Sequence, residues 1–255
     1  MRHIKIYTIL ALMFLLGIII FTSSTVDDKK KRDNNPLELV RTNIDGKGTN
    51  LTLVFKPGES HNYPTMAVWV EDVNGNYIQT LFVTQSVATG IFGHGEEEAT
   101  RWKQEPGPVR RPATLPYYLH KRNIKAPDGT YLPTPESPIP DAYTGATPKS
   151  AFKLETQTDT PLKGKFVLLF EVNQSWDWNE FWNNRLYPDN FDYKTSCQPA
   201  VVYAVSIDLD NKMDSYRLNP IGHSHFSGAN GKLYTDLSTI TTALNIFKSI
   251  EVDLN

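Results

Sequence analysis

The sequence predicts an all-β protein, an antiparallel β-sandwich with immunoglobulin-like layering. Three observations support this fold class. Short segments of alternating apolar and β-branched residues recur along the chain, turn-forming residues separate them, and no long segment of helical periodicity lies between them. With 255 residues, 40% of them hydrophobic, the chain is long enough to build a sizeable core. We therefore expect a single sandwich domain over residues 49–255.

The N-terminal segment is expected to export that domain. Arg2 and Lys5 precede an apolar run at residues 6–21. The run is intermediate in length between the apolar region of a signal peptide and a full membrane span. We therefore predict a signal peptide or membrane anchor at residues 1–25 and a polar tether at residues 26–48. The domain would then be extracytoplasmic, in the periplasm or at the cell surface, either secreted or tethered to the inner membrane by this segment.

Three strands are predicted in the first half of the domain. Residues 51–55 alternate in polarity and lead into a turn at Pro57, residues 66–70 are all apolar, and residues 77–83 alternate again. An Asn-Gly step that begins at Asn74 lies between the last two segments, and this step is the strongest local signal for a β-hairpin. We therefore expect these two segments to pair as antiparallel strands.

Residues 90–150 are expected to form a long, proline-rich loop excursion. Ten of the 17 prolines lie between Pro106 and Pro148, and neither helical nor strand periodicity is sustained. Proline lacks a backbone donor, which excludes it from helix interiors and central strands. Loops of this length are uncommon in compact domains unless they have a function. The excursion is therefore a candidate region for a site.

The second half of the domain returns to strands. Residues 151–155 alternate, residues 165–172 are nearly continuously apolar, and residues 200–209 form another β-rich segment. A turn after the third segment is expected to close a hairpin onto residues 215–218. The last segment, residues 239–252, is consistent with either a strand or a short helix.

Charge and motif content argue against several function classes. A formal net charge of −2 and a pI near 6.3 leave no broad basic surface for nucleic acid. Cys197 is the only cysteine, so the chain has no intrachain disulfide. The sequence contains no phosphate loop, Gly-x-Ser-x-Gly elbow or His-Glu-x-x-His motif. We therefore expect neither a nucleic-acid partner nor enzymatic turnover.

The most informative string is Asp-Ala-Tyr-Thr-Gly-Ala-Thr at residues 141–147, near the end of the proline-rich excursion. Gly145 and Ala146 remove side-chain bulk beside the last threonine, so its hydroxyl could enter the active site of another protein. The competing interpretation is a capped turn, in which Asp141 or Thr144 bonds local backbone amides.

This string resembles the acceptor sequence of flavin transferases, the enzymes that attach FMN through a phosphoester to a threonine of extracytoplasmic electron-transfer proteins. The resemblance implies that Thr147 carries covalent FMN. It also implies that Asp141, Thr144, Gly145 and Ala146 belong to the flavin site, with Asp141 recognised by an FAD:protein FMN transferase. The best-known carriers of this sequence have a different fold, that of the flavin-binding domains of membrane redox pumps.

A second string is similar to a family of predicted periplasmic β-sandwich domains of unknown function. It reads Ala-Val-Trp-Val-Glu-Asp-x-x-Gly-x-Tyr-Ile-x-Thr-Leu over residues 67–81. The similarity covers residues 51–173 well and the C-terminal third less closely. It includes the string at residues 141–147, so it supports both the fold class and the extracytoplasmic location.

An attached flavin would need an aromatic surface for its ring and a cation for its phosphate. Trp102 and Tyr118 are candidates to stack on the ring, and Arg111 is a candidate to meet the phosphate. The same excursion supplies further residues of these types, namely Arg110, Tyr117 and Lys149. Any one of them could instead fasten the long loop to the sandwich.

Residues 176–182 (Trp-Asp-Trp-Asn-Glu-Phe-Trp) contain three of the five tryptophans. Their spacing fits one face of a strand for the first pair and one face of a helix for the last pair, so periodicity does not decide their structure. A packed cluster over a loop is one interpretation. A second wall for a flavin is another, and a carbohydrate-binding surface is a third, because Asp177 and Glu180 lie beside the rings.

His223 and His225 are two residues apart, and on a strand both imidazoles would point to one face. This geometry suits zinc or copper, although further ligands would have to come from elsewhere, for example His94, His120 or Asp236. The competing interpretation is hydrogen bonding that orders the glycine-containing loop that follows.

The sequence as a whole predicts an extracytoplasmic flavin carrier in electron transfer, and not an enzyme. A separate transferase would attach FMN to Thr147, and a membrane redox partner would exchange electrons with it. The alternative is a non-catalytic binding module, for carbohydrate through residues 176–182 or for a metal ion through His223 and His225.

Overall fold

The computed structural model describes residues 37–98 and 101–254. The chain divides into two units, Met1–Leu37 and Glu38–Asn255, and only Leu37 of the first unit is described. The expected signal peptide or anchor therefore lies outside the described residues. The folded unit begins earlier than expected, because residues 38–42, assigned from sequence to the tether, form an edge strand.

Fifteen strands and three short α-helices make up the described chain. The strands are β1 (Glu38–Thr42), β2 (Asn50–Pro57), β3 (Thr65–Asp72), β4 (Tyr77–Thr84), β5 (Ile91–Phe92), β6 (Glu96–Glu98), β7 (Arg101–Trp102), β8 (Gly107–Pro108), β9 (Thr144–Gly145), β10 (Phe152–Gln157), β11 (Lys165–Asn173), β12 (Val201–Asp208), β13 (Tyr216–Arg217), β14 (Asn219–His223) and β15 (Phe247–Leu254). The helices are α1 (Gln85–Thr89), α2 (Pro116–Arg122) and α3 (Phe191–Lys194), with single 3-10 turns at Asp141–Tyr143 and Thr242–Asn245.

Two sheets face each other and form a β-sandwich. The five-stranded sheet has the order β1-β10-β2-β15-β13, and the six-stranded sheet has the order β14-β12-β11-β3-β4-β9. Within them only β1 with β10 and β4 with β9 pair in parallel, and both pairs lie at sheet edges. The predicted all-β sandwich is therefore confirmed. Short pairs, β5 with β8 and β6 with β7, lie outside the two sheets.

The inner core is built largely from aromatic rings of the facing sheets. Phe55 on β2 and Phe152 on β10 stack with their centroids 4.3 Å apart, and Phe170 on β11 of the opposite sheet lies 5.2 Å from Phe55. Burial alternates along β2, which accounts for the alternating sequence pattern. Along β3 seven of the eight residues are buried, because both faces of the six-stranded sheet are covered.

A second apolar core lies on the outer face of the six-stranded sheet. The indole of Trp69 on β3 lies 6.1 Å from the ring of Tyr117 and 5.4 Å from that of Tyr118, both on α2. The other buried members are Ala67, Val83, Val87, Ala88, Leu115, Leu119, Ile139, Leu169, Ala200 and Val202. The proline-rich excursion is therefore a third layer packed on the sheet, and it contains a helix that the sequence pattern does not indicate.

The two predicted hairpins have different outcomes. The pair β3–β4 is confirmed, with its turn closed by Asp72 Oδ1, which accepts from the backbone N–H groups of Asn74 and Asn76 at 2.8 Å each. The hairpin expected after β12 is wrong. Strand β13 crosses to the other sheet and pairs with β15, because Tyr216 is buried in the inner core, while β14 takes the free edge of β12.

The expected alternatives at the chain end both occur in part, as a 3-10 turn followed by the strand β15. Among residues 37–98 and 101–254, no helix has the length and apolar character needed to cross a membrane.

Candidate functional site

The Asp141–Thr147 segment is fixed along the edge of the six-stranded sheet. Asp141–Tyr143 forms a 3-10 turn, and β9 pairs in parallel with the end of β4, opposite Val83 and Thr84. The carbonyl of Ala142 accepts a hydrogen bond of 2.6 Å from the backbone N–H of Asn43. The segment is therefore attached on both sides, and only its last residues extend beyond the ladder.

Gly145 has a packing role that the sequence does not reveal. A Cβ atom at this position would lie 2.7 Å from Cε2 of Phe82 and 3.5 Å from Cγ1 of Val40. Phe82 is fully buried in the inner core and has little room to move. Glycine is therefore required here for close approach of β9 to the sheet, independently of any acceptor function.

Gly145→Ala should lower the free energy of unfolding by roughly 1–3 kcal/mol, because the added methyl group overpacks against the Phe82 ring. Urea denaturation monitored by tryptophan fluorescence measures this change. Ala146 is exposed, so Ala146→Ser serves as the neighbouring control and should change stability by less than about 0.5 kcal/mol. Equal stability of the Gly145→Ala variant and the wild type would show that the contact is easily relieved.

Thr147 follows the ladder and is partly exposed. Its side-chain hydroxyl makes no hydrogen bond to any residue in the described part of the chain. The hydroxyl of Thr144, by contrast, bonds the carbonyl of Asp141 at 3.3 Å, and the Asp141 side chain is exposed. Of the two threonines in the string, Thr147 is the one whose hydroxyl is available to another molecule.

Lys149, two residues after Thr147, supplies a cation that lies near an exposed aromatic ring. Lys149 Nζ lies 5.7 Å from the centroid of the Tyr63 ring, and Tyr63 is 63% exposed. Pro148 lies between Thr147 and Lys149, and its carbonyl accepts a hydrogen bond of 3.4 Å from Nε2 of His61. This bond holds Pro148 against the β2–β3 loop, which also contains Tyr63. The sequence pointed to Lys149 but not to Tyr63, because nothing in the local pattern indicates that the β2–β3 loop reaches this segment.

Tyr63 adopts a backbone conformation that is unusual for a bulky residue. Its φ is +51°, in the left-handed region. Such a conformation costs about 1–3 kcal/mol and persists only where the surroundings enforce it. In this conformation the Tyr63 ring is exposed to solvent and lies beside Lys149.

The three other flavin candidates lie in the third layer. Tyr118 is fully buried, and its hydroxyl lies 2.8 Å from Thr80 Oγ1, so its ring has no free face for a flavin. Trp102 stacks on Phe191, with 5.8 Å between the ring centroids. Arg111 lies over the ring of Phe92. The expectation that Tyr118 stacks on a flavin is therefore wrong, because the residue belongs to the second core.

Two neighbouring cavities are found in the third layer. Their volumes are about 220 and 340 Å³, and both are lined by Arg110, Leu119 and Leu132. Arg111 and Thr114 line the smaller one. No residue of the segment 141–147 lines either cavity, so the structure does not bring Arg111 together with Thr147 in one cavity.

Helix α2, which lines both cavities, is capped by a residue distant in sequence. Leu115 at the N-cap position has no side-chain acceptor, and Pro116 occupies the first helical position. The Glu171 carboxyl on β11 takes the place of a local cap, since Oε1 accepts from Tyr117 N at 3.2 Å and Oε2 from Tyr118 N at 2.7 Å. Burial raises the pKa of Glu171 to about 8. Its only sequence signal is a carboxylate within an otherwise apolar strand.

The other end of α2 is held by a second buried carboxylate. Glu71 Oε2 pairs with Lys121 Nζ at 3.2 Å, and Glu71 Oε1 accepts from the Trp69 indole N–H at 2.8 Å. Lys121 also donates to the carbonyl of Gly75 at 2.9 Å. Together with the Glu171 contacts, these fix α2 to the sheet at both ends.

The His pair is placed on and just after β14. His223 stacks on Tyr234 with 5.4 Å between centroids and donates from Nδ1 to the carbonyl of Ser224 at 2.8 Å. His225 Nδ1 accepts from the backbone N–H of Ser227 at 3.2 Å, and burial lowers the pKa of His225. In the part of the chain that the structure describes, no three or more His, Cys, Asp or Glu residues are grouped so as to hold a metal ion.

In the tryptophan-rich segment at residues 176–182, one tryptophan is packed and two are exposed. Trp182 donates from Nε1 to Thr239 Oγ1 at 3.0 Å and packs 6.3 Å from the Tyr193 ring. Trp176 and Trp178 are 54% and 44% exposed. The first part of the segment is therefore an exposed aromatic surface, and a role in carbohydrate binding stays a prediction.

Comparison with known proteins adds no assignment. No protein-family model matches the chain, and no curated protein matches it.

Proposed function

We propose that this protein is an extracytoplasmic flavin carrier, with FMN attached covalently to Thr147 by a separate FAD:protein FMN transferase. The observation that carries the proposal is the Thr147 hydroxyl, which has no hydrogen-bond partner among the described residues and ends the acceptor-like string at a sheet edge. The protein would be the substrate of the transferase and then an electron carrier for a membrane redox partner.

The attachment step belongs to the transferase. The Thr147 oxygen attacks the phosphorus on the riboflavin side of the FAD diphosphate, forming the phosphoester as the bond to AMP breaks. The hydroxyl proton passes to a base of the transferase, and AMP leaves with the electron pair of the broken bond. The string supplies only an accessible nucleophile and small neighbours, of which Ala146 is exposed.

The position of the string suits this reaction. The ladder to β4 ends at Gly145, so residues 146 and 147 can enter another active site while the sheet stays paired. The exposed Asp141 lies at the other end of the string, where the transferase would recognise it. Neither the recognition of Asp141 nor the entry of residues 146 and 147 into the transferase requires unfolding of the sandwich.

Once attached, the flavin would be received by Lys149 and Tyr63. The ammonium group of Lys149, two residues beyond the acceptor, would offset the negative charge of the phosphodiester. The exposed ring of Tyr63 beside it offers a surface on which an isoalloxazine ring would stack. These residues replace Trp102, Tyr118 and Arg111 as the proposed surroundings of the cofactor.

Co-expression with a flavin transferase should add a mass of about 438 Da, that of one FMN less water, to the peptide containing Thr147. Thr147→Val should abolish the adduct, because valine preserves the shape and removes the nucleophile. Ser150→Ala, three residues beyond Thr147 and outside the string, is the control and should keep the adduct. Tyr63→Ala should keep it too and should increase the fluorescence of the attached flavin, because the stacked ring would be gone.

Intact mass and peptide mass spectrometry decide between the outcomes. An unmodified wild-type protein in the presence of an active transferase would refute the proposal. An adduct that survives Thr147→Val would place the flavin elsewhere.

A further inference from the structure

Two exposed aromatic residues at one end of the sandwich share a backbone conformation that is rare for bulky side chains. Tyr63, in the β2–β3 loop, has a φ of +51°, and Trp176, in the loop that follows β11, has a φ of +55°. The two residues are 63% and 54% exposed. A left-handed backbone at a bulky residue costs free energy and persists only where the surroundings enforce it, as they do in many ligand-binding segments.

The two loops that carry these residues are joined to each other. Thr65 at the start of β3 pairs with Asn173 at the end of β11, so both loops leave the six-stranded sheet at the same end. The side-chain oxygen Oε1 of Gln174 accepts a hydrogen bond of 2.8 Å from the backbone N–H of Asn62. Tyr63 directly follows one partner of this bond, and Trp176 lies two residues after the other.

The backbone at Trp176 is fixed, and its ring is free. The N–H of Trp176 donates to the carbonyl of Thr195 at 3.2 Å, and the N–H of Asp177 donates to that of Ser196 at 3.1 Å. Neither Tyr63 nor Trp176 has a ring–ring contact with another aromatic residue in the part of the chain that the structure describes. Both rings are therefore presented to solvent from fixed backbone without an aromatic partner.

Gln174 adds a hydrogen-bond donor to the same loops. Because its Oε1 is held by Asn62, the amide nitrogen Nε2 is the free end of the side chain. Nε2 makes no hydrogen bond within the described residues and is not fully buried. It is therefore available to a ligand that has an acceptor and stacks on the neighbouring rings.

The position of these loops selects the ligand. Lys149 Nζ lies 5.7 Å from the centroid of the Tyr63 ring, so the aromatic surface begins beside the cation that follows Thr147. A flavin attached at Thr147 would be tethered, and tethering gives a ligand an effective concentration in the millimolar range. Stacking too weak to retain a free sugar or nucleobase would then be enough to hold the ring.

We propose that Trp176 and Gln174 complete the flavin site that Lys149 and Tyr63 begin. The isoalloxazine ring stacks on Trp176 as well as on Tyr63, and its polar edge accepts a hydrogen bond from Gln174 Nε2. This donor stabilises the negative charge of the reduced ring, so it raises the reduction potential of the flavin. The inference rests on the proposed attachment of FMN to Thr147.

The emission of the attached flavin tests the stacking contact in the full chain, co-expressed with an active FMN transferase. Trp176→Leu should keep the adduct, because Trp176 lies outside the acceptor string. The flavin emission should rise severalfold, because an indole stacked on a flavin quenches it. Trp178→Leu is the matched control, since Trp178 is 44% exposed in the same segment but lies two residues further from Gln174. Its emission should equal that of the wild type.

The reduction potential of the attached flavin tests the hydrogen bond. Gln174→Glu keeps the acceptor for Asn62 and removes the donor, whereas Gln174→Met removes the donor without adding a charge. Both variants should lower the potential by about 30 mV or more, which is tenfold in the two-electron equilibrium. A fall in Gln174→Glu alone would be an effect of charge and would refute the donor role.

The outcomes separate this inference from the proposed function. A wild type that carries no adduct would refute the attachment to Thr147 and, with it, the completed site. An adduct whose emission and potential are unchanged in Trp176→Leu and in both Gln174 variants would overturn the inference alone. An equal rise in emission in Trp178→Leu would refute the assignment of the contact to Trp176.

Discussion

Glu171→Ala should lower the free energy of unfolding by roughly 2–6 kcal/mol, since it leaves two buried backbone donors without an acceptor at about 1–3 kcal/mol each. The donors are the N–H groups of Tyr117 and Tyr118 at the start of α2, whose N-cap residue supplies no side-chain acceptor. Urea denaturation at a fixed pH measures the loss. Glu171→Gln retains a side-chain acceptor and should be destabilised much less.

The same residue should make stability depend on pH. Burial raises the pKa of Glu171 to about 8 from the ordinary value of 4.5, so between these values the folded protein holds a proton that the unfolded chain releases. The unfolded state then binds fewer protons, and stability falls as the pH rises through this window and levels off above it. From about pH 5.5 to about pH 8 the fall from this group is roughly 3 kcal/mol, at about 1.36 kcal/mol for each pH unit.

Glu171→Gln isolates that contribution, because other titrating groups remain in both proteins. The difference in unfolding free energy between the wild type and the Gln variant should change in favour of the variant as the pH rises. A difference that stays constant across the window would show that the carboxyl titrates equally in the folded and unfolded states. The expectation that the folded protein keeps Glu171 protonated within this pH window would then be wrong.

Lys121→Met should lower the free energy of unfolding by about 3 kcal/mol, because it leaves the Glu71 carboxylate buried without its cation. The Glu71 side chain is 5% exposed and the Lys121 side chain 27%, so solvent screens the pair only in part. The loss of a hydrogen bond to the carbonyl of Gly75 adds to the effect. Equilibrium urea denaturation at neutral pH measures the change.

A double-mutant cycle distinguishes the ion pair from the packing of the lysine stem. Glu71→Gln combined with Lys121→Met removes the stranded charge while the glutamine can still accept from the Trp69 indole, so the double variant should be more stable than Lys121→Met alone. Lys212→Met, at an exposed lysine, should change stability by less than about 0.5 kcal/mol. If the double variant is no more stable than the single one, the lysine acts through packing.

Most of the strands longer than five residues can be predicted from local sequence. The alternation in β2, the apolar runs of β3 and β11 and the turn at Asn74 are properties of neighbouring residues, and the sandwich architecture follows from many such segments without long helices. The hairpin after β12 could not be predicted, since β13 is drawn to the other sheet by burial of Tyr216, a contact distant in sequence.

Some features of the candidate site can likewise be predicted from the sequence, and others cannot. The sequence identifies the string at residues 141–147 and singles out Thr147 as the proposed acceptor, because that information is contiguous. It does not indicate that Gly145 packs on Phe82, that Tyr63 reaches Lys149, or that Tyr118 belongs to a core. Each of these depends on which distant residues the fold places at contact distance.

By itself, then, the sequence determines the class of fold, the positions of most of the longer strands and one chemically distinctive string. Only the tertiary structure turns a proline-rich excursion into a third layer, makes Glu171 the cap of a helix more than 50 residues away in the chain, and joins the loops that carry Tyr63 and Trp176. The physical reason is that periodicity and turn chemistry act between near neighbours. Burial, pKa and hydrogen-bond satisfaction, in contrast, are set by whatever packs against a residue from elsewhere in the chain.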